Sequence, residues 1–461
     1  MINPKEKELF EEAISLAAKL AKEPLSEAEA TYNDMEALKR MHPESQAIAH
    51  ACLSALVVIS TKQPLAEALK TVEHIENLSI EAPNDTAIAS FRADALVRLC
   101  IKQDYDDCIA TILKLYKLAE DHYGVIEFSR VCAQALGVLA MKQEPAKTLE
   151  LVPEISRLFA VEPDIARHFH EGLLLMAQLC DRCTGLEMAV EVLKALNEKM
   201  SGIARIYAET LALLIGESPL DKGQKAAELL WDLTLSQPQE TAVECAKGMF
   251  SLSLLGSEDH MTLCKDKTSE LVKMFPENEI IANCHVRIIA NSAEHLEGDE
   301  LFSAVSETEQ LYRKHPSDGA AEAYAYTLWR LFRVTEDSGS PEPASALMKL
   351  AENHKGNLYI SQIYANCLFS SANKQDYANA FQTASALHEL SASNIGSNEI
   401  ALLYAKAVHN LIAKNDKDWD GLLNNLYSIV AAQINNTELL DIYKNLCSYL
   451  LDFKGYQLNR P

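Results

Sequence analysis

Two short stretches gather side chains that could do chemistry. "CDRC" (Cys180–Cys183) holds two thiols three positions apart, the spacing of a redox dithiol or of half a structural zinc site. Tetrahedral zinc needs four ligands. The nearest nitrogen donors are His168 and His170. With one residue between them, they face different sides of a helix. Packing or simple exposure is therefore the expected fate of Cys180 and Cys183, and neither a metal nor any other cofactor is expected. "DHMTLC" (Asp259–Cys264) sets His260 and Cys264 one helical turn apart. No third group orients the pair, as activation of a nucleophile requires. The patterns GxxxxGKS/T, GxGxxG, HExxH and GxSxG are absent. No enzyme is expected; the weaker alternative is a catalytic site assembled across several structural repeats.

The elements that position these residues are set by a period. "KQDY" occurs at Lys102–Tyr105 and again at Lys374–Tyr377. Lys-Gln also stands at 62–63, 102–103 and 142–143, in steps of 40. Pro43, Pro83 and Pro163 are spaced by 40 or 80, and Pro276 and Pro316 again by 40. Between prolines lie two helical patterns, such as "DTAIASFRADALVRLCI" and "YDDCIATILKLYKLAED". Their apolar residues recur at three and four, as on one helical face. Pro cannot continue a helix interior. Each unit therefore reads as helix, tight turn, helix. KQDY is the corner inside the unit, with Asp104 and Asp376 near the N-cap of the second helix.

The expected fold is all-α: a superhelix, or solenoid, of about eleven antiparallel helix pairs, closed by a C-terminal capping helix near Thr437–Leu451. Stacked pairs bury one continuous core, so residues 1–461 are expected to form a single elongated domain. A longer turn is expected at 333–344, where "SGSPEP" interrupts the pattern, and a tail at 453–461.

These units resemble tetratricopeptide repeats. "DYDDCIATILKLYKLA" and "DYANAFQTASALHEL" look like the second helix of that family, and "AYAYTLWRLF" and "IYANCLFSSA" like the first. The resemblance covers nearly the whole chain. The family's repeat has 34 residues and this one about 40, which adds nearly one turn to each helix. The resemblance implies that first helices line a concave groove for a peptide.

Counted from each Pro-equivalent site, offsets 10 and 13 are expected to be core: Leu53 and Leu56, Ala93 and Leu96, Ala133 and Leu136, Val286 and Ile289, Tyr326 and Trp329. Offsets 7, 11 and 14 are expected to face the groove. They select His50, Ser54, Ser90, Asp94, Arg130, Gln134, His170, Asn283, Arg287 and Arg330. The arginines suit a carboxylate of a bound peptide, or ion pairs within the protein. The expected function is a non-enzymatic scaffold or adaptor binding a peptide or helix of a partner protein. The alternative is a regulator that responds to a peptide or small ligand. Homodimerisation through a terminal repeat is compatible with either.

Composition narrows the partners. Of 461 residues, 66 are acidic and 42 basic, a net charge of −24, so a phosphate backbone would be repelled and nucleic acid is not an expected partner. No apolar run is long enough for membrane insertion. The N-terminal "MINPKEKELFEEAISLAAKL" reads as an amphipathic helix, not as a secretion signal. Eleven scattered cysteines suggest reduced thiols and a cytoplasmic location.

Overall fold

The computed structural model of the chain describes residues 4–162, 164–200, 202–336, 342–414 and 419–454, with the side chains of 4–10, 146, 419 and 451–454 set aside. Among the described residues there are 23 α-helices and no strand. They form two compact units, Met1–Gly248 and Met249–Pro461.

The first unit contains α1 (Pro4–Lys22), α2 (Leu25–Met41), α3 (Gln46–Lys62), α4 (Leu65–Glu81), α5 (Thr86–Lys102), α6 (Tyr105–Asp121), α7 (Ile126–Ala140), α8 (Val152–Phe159), α9 (Ile165–Ala177), α10 (Arg182–Asn197), α11 (Ala204–Glu217) and α12 (Leu220–Ser236). The division between units falls within α13 (Pro238–Leu255). The second unit continues with α14 (Glu258–Met274), α15 (Glu279–Ser292), α16 (Gly298–Lys314), α17 (Asp318–Thr335), α18 (Glu342–Asn353), α19 (Leu358–Lys374), α20 (Tyr377–Ser393), α21 (Asn398–Lys414), α22 (Trp419–Ala432) and α23 (Thr437–Lys454). Odd helices begin the pairs and even helices complete them. α23 packs on α21 and α22 as the cap. In each unit first helices pack on first helices, as α3 on α5 and α15 on α17, and second helices such as α4, α6, α16 and α20 pack on both their partner and the next first helix.

The period follows from helix and turn lengths. In the regular pairs both helices have 17 residues. Two residues, such as 63–64 or 103–104, join them, and four, such as 82–85, lead to the next pair. Caps fix the corners. Asp104 accepts from the Asp107 amide at 2.9 Å, and Asp376 from the Asn379 amide at 2.9 Å. Asp85, Asn278 and Asn357 cap the first helices in the same way. Gly124 and Gly356, in equivalent turns, adopt φ of 88° and 98°, a region where a Cβ is disfavoured.

Lys-Gln does more than mark a corner. Lys62 Nζ donates to the carbonyls of Leu20, Ala21 and Glu23, one repeat back. Lys102 reaches Gln63 O, Lys142 reaches Ile101 O and Gln103 O, and Lys414 reaches Ala372 O, Asn373 O and Gln375 O. These carbonyls lie at the ends of first helices, where no intrahelical donor remains. The glutamines accept from a threonine eight residues on: Thr71 to Gln63 at 2.7 Å, Thr111 to Gln103 at 2.8 Å and Thr383 to Gln375 at 2.7 Å.

The pattern breaks over 141–160. Where a second helix is expected, a 3-10 segment (Pro145–Leu151) precedes the short α8. Pro145 and Pro153 each remove a backbone donor. Beside this break α7 and α9 meet backbone to backbone. A Cβ on Gly137 would stand 2.1 Å from Phe169 O, and one on Gly172 2.0 Å from Gln134 O.

The expected core holds for Leu53, Leu56, Ala93, Leu96, Ala133, Leu136, Val286 and Ile289, all buried. It fails for Tyr326 and Trp329, which are half-buried. Ala321, Ala325, Leu328 and Phe332 are buried in α17 instead. Three residues, not four, lead into α17, so its core stripe sits one position earlier than in α15, where Ala282, Val286, Ile289 and Ala293 are buried.

The longer turn expected at 333–344 lies largely outside the described residues: α17 ends at Thr335 and α18 starts at Glu342. Of the expected tail, 455–461 lie outside them. Among the described residues no helix is long and apolar enough to cross a membrane.

Candidate functional site

The one-residue shift in α17 decides which side chains share a face. It puts Tyr326 at the place that Arg287 holds in α15, and Glu322 at the place of Asn283. In the second unit the first helices α13, α15, α17 and α19 together line an open cleft of about 540 Å3. Arg287, Asn291, Tyr326, Glu322 and Tyr359 are prominent in its wall.

Arg287 is exposed, and its Cζ lies 4.4 Å from the Phe250 ring centroid. That geometry is a cation–π contact. No carboxylate stands within ion-pair distance of Arg287 among the described residues. Asn291 Nδ2 donates to Ser253 Oγ at 3.2 Å. Tyr326 donates its hydroxyl proton to Glu294, and Asn357 Nδ2 donates to Glu322 Oε1 at 3.0 Å. Burial pushes the Tyr326 phenol upward, and its bond to Glu294 adds to this. Burial also raises Tyr359, with Glu322 adding and Arg287 opposing. The Tyr326 phenol is thus held as a donor.

The other expected groove residues scatter. Asn283 is half-buried, with its Oδ1 against Gly319. Arg330 is committed to backbone: Nε donates to Ala293 O at 3.2 Å, and a terminal nitrogen to Glu294 O at 2.8 Å. It therefore repeats the lysine clamp described above and is not free for a ligand.

In the first unit Arg130 pairs with Glu162 at 3.1 Å and Glu127 at 3.5 Å. His50 Nε2 stands 3.5 Å from Asp85, the cap of α5. Ser54 and Ser90 are half-buried. His170 is buried, not groove-facing. Its Nε2 contacts Thr210 Oγ1 at 2.8 Å, and its Nδ1 faces Glu209 at 3.5 Å. Asp94 and Gln134 do share a place, a cavity of about 430 Å3 with Arg98, Val97, Ile101 and Leu175 in its wall. The sequence offsets missed Arg98 and Asn291 because both fall at offset 15, one beyond the stripe chosen, and missed Tyr326 because of the shortened turn.

The reactive stretches stay apart. Cys180 is exposed and Cys183 half-buried. Asp181 between them caps α10 through the Thr184 amide. His168 Nδ1 contacts Glu171 at 3.0 Å, so both nearby histidines face other partners. Among the described residues no group of three or more His, Cys, Asp or Glu could hold a metal ion. His260 Nδ1 contacts Ser257 Oγ at 2.8 Å, while Cys264 is fully buried.

No protein-family model matches the chain, and no curated protein sequence is significantly similar to it.

Proposed function

We propose that the protein is a non-enzymatic scaffold of tetratricopeptide-like helix pairs. Its second-unit cleft takes an extended peptide segment that carries a carboxylate. The observation supporting this most directly is Arg287, an exposed guanidinium at the cleft without an ion-pair partner among the described residues. A guanidinium grips a carboxylate through two parallel N–H···O bonds. Phe250 beneath it restricts its motion, which lowers the entropy lost on binding. Arg130 and Arg330 already have partners, so the charge reading falls on one arginine, not three.

The rest of the cleft fits an extended chain. Four successive first helices line it, so it runs across repeats. Asn291 supplies an amide, and Tyr326 and Tyr359 supply aromatic faces with polar tips. Glu294 and Glu322 also border it, each already accepting a hydrogen bond.

The test compares short peptides containing Asp or Glu with their Asn or Gln counterparts, by fluorescence polarisation on the full chain. Acidic peptides should bind about tenfold more tightly, roughly 1.4 kcal/mol. Arg287→Ala should erase that preference. If Arg287→Ala binds both sets as the wild type does, the cleft reading fails. If the preference is erased, a stoichiometric partner purified from native extract and lost on Arg287→Glu would give the segment to map.

A further inference from the structure

The cavity of the first unit differs in kind from the cleft above. It lies where α3, α5, α7 and α9 meet, beside the break in the repeat pattern. Its wall is mostly apolar: Val97 and Ile101 from α5, Leu175 from α9, and Leu179 just past the end of α9. α7 and α9 approach closely here: a Cβ on Gly172 would meet the backbone oxygen of Gln134, a residue of this wall.

Two opposite charges share this wall without pairing. Asp94 and Arg98 stand one turn apart on α5. Neither forms an ion pair among the described residues. Arg98 donates only to Thr61 Oγ1, at 3.1 Å. Asp94 has no hydrogen-bond donor among the described residues. The third charge, Lys102, already gives its ammonium to Gln63 O. Gln134 and Gln178 add amides at the rim.

We propose that this cavity binds a free apolar α-amino acid, its ammonium on Asp94, its carboxylate on Arg98 and its side chain among Val97, Ile101, Leu175 and Leu179. The charge pattern selects this class. A zwitterion presents both charges within one small molecule, matching a carboxylate and a guanidinium one helical turn apart. The backbone of a peptide interior offers neither charge, and the backbone of a peptide end offers one. The volume of about 430 Å3 lies at the small end of ligand sites, which run from roughly 300 to 1,000 Å3. The apolar wall disfavours a polar side chain, whose burial without partners is costly. Asp94 is exposed, so its carboxylate can be reached by an ammonium from solvent.

The experiment is isothermal titration of the full chain with L-leucine and L-phenylalanine, beside N-acetyl-L-leucine and L-leucinamide. The free amino acids should bind, and each blocked derivative should be weaker by about tenfold or more. Asp94→Asn should weaken leucine while leaving N-acetyl-leucine unchanged. Arg98→Gln should weaken leucine while leaving leucinamide unchanged. Circular dichroism of both variants should match the wild type, because neither side chain is core. Absence of binding by both free amino acids overturns the proposal, and so does binding of either blocked derivative as tightly as leucine.

Discussion

Thr268 has one hydroxyl proton and gives it to the Cys264 carbonyl at 2.7 Å. The same hydroxyl contacts His285 Nδ1 at 2.8 Å. The other ring nitrogen faces Glu307 Oε1 at 3.1 Å. Both nitrogens of this buried ring thus have polar partners. Glu307 answers with a carboxyl held below its ordinary range, first by the bond to His285. A lowered carboxyl contributes stability above its unfolded value and loses it as pH falls through the folded one. Glu307→Gln should therefore cost about 1 kcal/mol near pH 7, and the difference should shrink near pH 3. Denaturant midpoints at the two pH values measure it; a cost that stays constant would show that the ionised form is not what matters. None of this was legible beforehand, because Thr268 and His285 lie on different helices and no spacing rule joins them. Arg287 was legible, since one offset sufficed to place it on the cleft.

The lysine clamps act between elements. A helix end carries carbonyls without intrahelical donors, and here a lysine at or just past the end of the next first helix supplies the donor. Lys142 reaches Ile101 O at 3.1 Å and Gln103 O at 2.7 Å. Lys142→Met keeps the stem and removes the ammonium. It should lower stability by about 2 kcal/mol, the order of one hydrogen bond from a charged group. Amide exchange should quicken in the turn at 103–104 before it quickens elsewhere; unchanged exchange there would sink the clamp. The Lys-Gln dipeptide was visible in the sequence as a corner, but its reach to the preceding repeat was not. That reach depends on how first helices stack. The α7–α9 crossing is a second contact of this kind. Gly137→Ala would set a Cβ 2.1 Å from a backbone oxygen, which no rotamer can relieve. Overpacking of this type costs about 1–3 kcal/mol. Thermal unfolding should show that loss, whereas Gly421→Ala, in the first turn of α22 with open space around it, should stabilise slightly, because Ala loses less backbone entropy than Gly on entering a helix.

At the scale of the molecule, the period was readable because helix lengths and turn lengths repeat together. It slipped wherever a turn lost a residue, as before α17, or a helix gave way, as over 145–151. Both are changes in the count of residues between corners, and a fixed offset cannot follow them. The same modular construction governs how damage spreads. In the second unit the buried side chains fall into clusters. One joins Ala365 through Leu450, with Leu387 and Tyr404 inside it, and another joins Ala293 through Cys367. Arrays in which each pair touches only its neighbours behave as nearest-neighbour chains. Leu387→Ala removes a fully buried side chain from the first cluster and should cost about 3 kcal/mol. Native-state hydrogen exchange should then show protection falling over α19 to α22 while α14 to α16 keep theirs, because no core side chain is shared between Leu387 and those helices. An equal fall across the whole second unit would mean that it unfolds as one cooperative block, and the local clusters would then carry no independent stability.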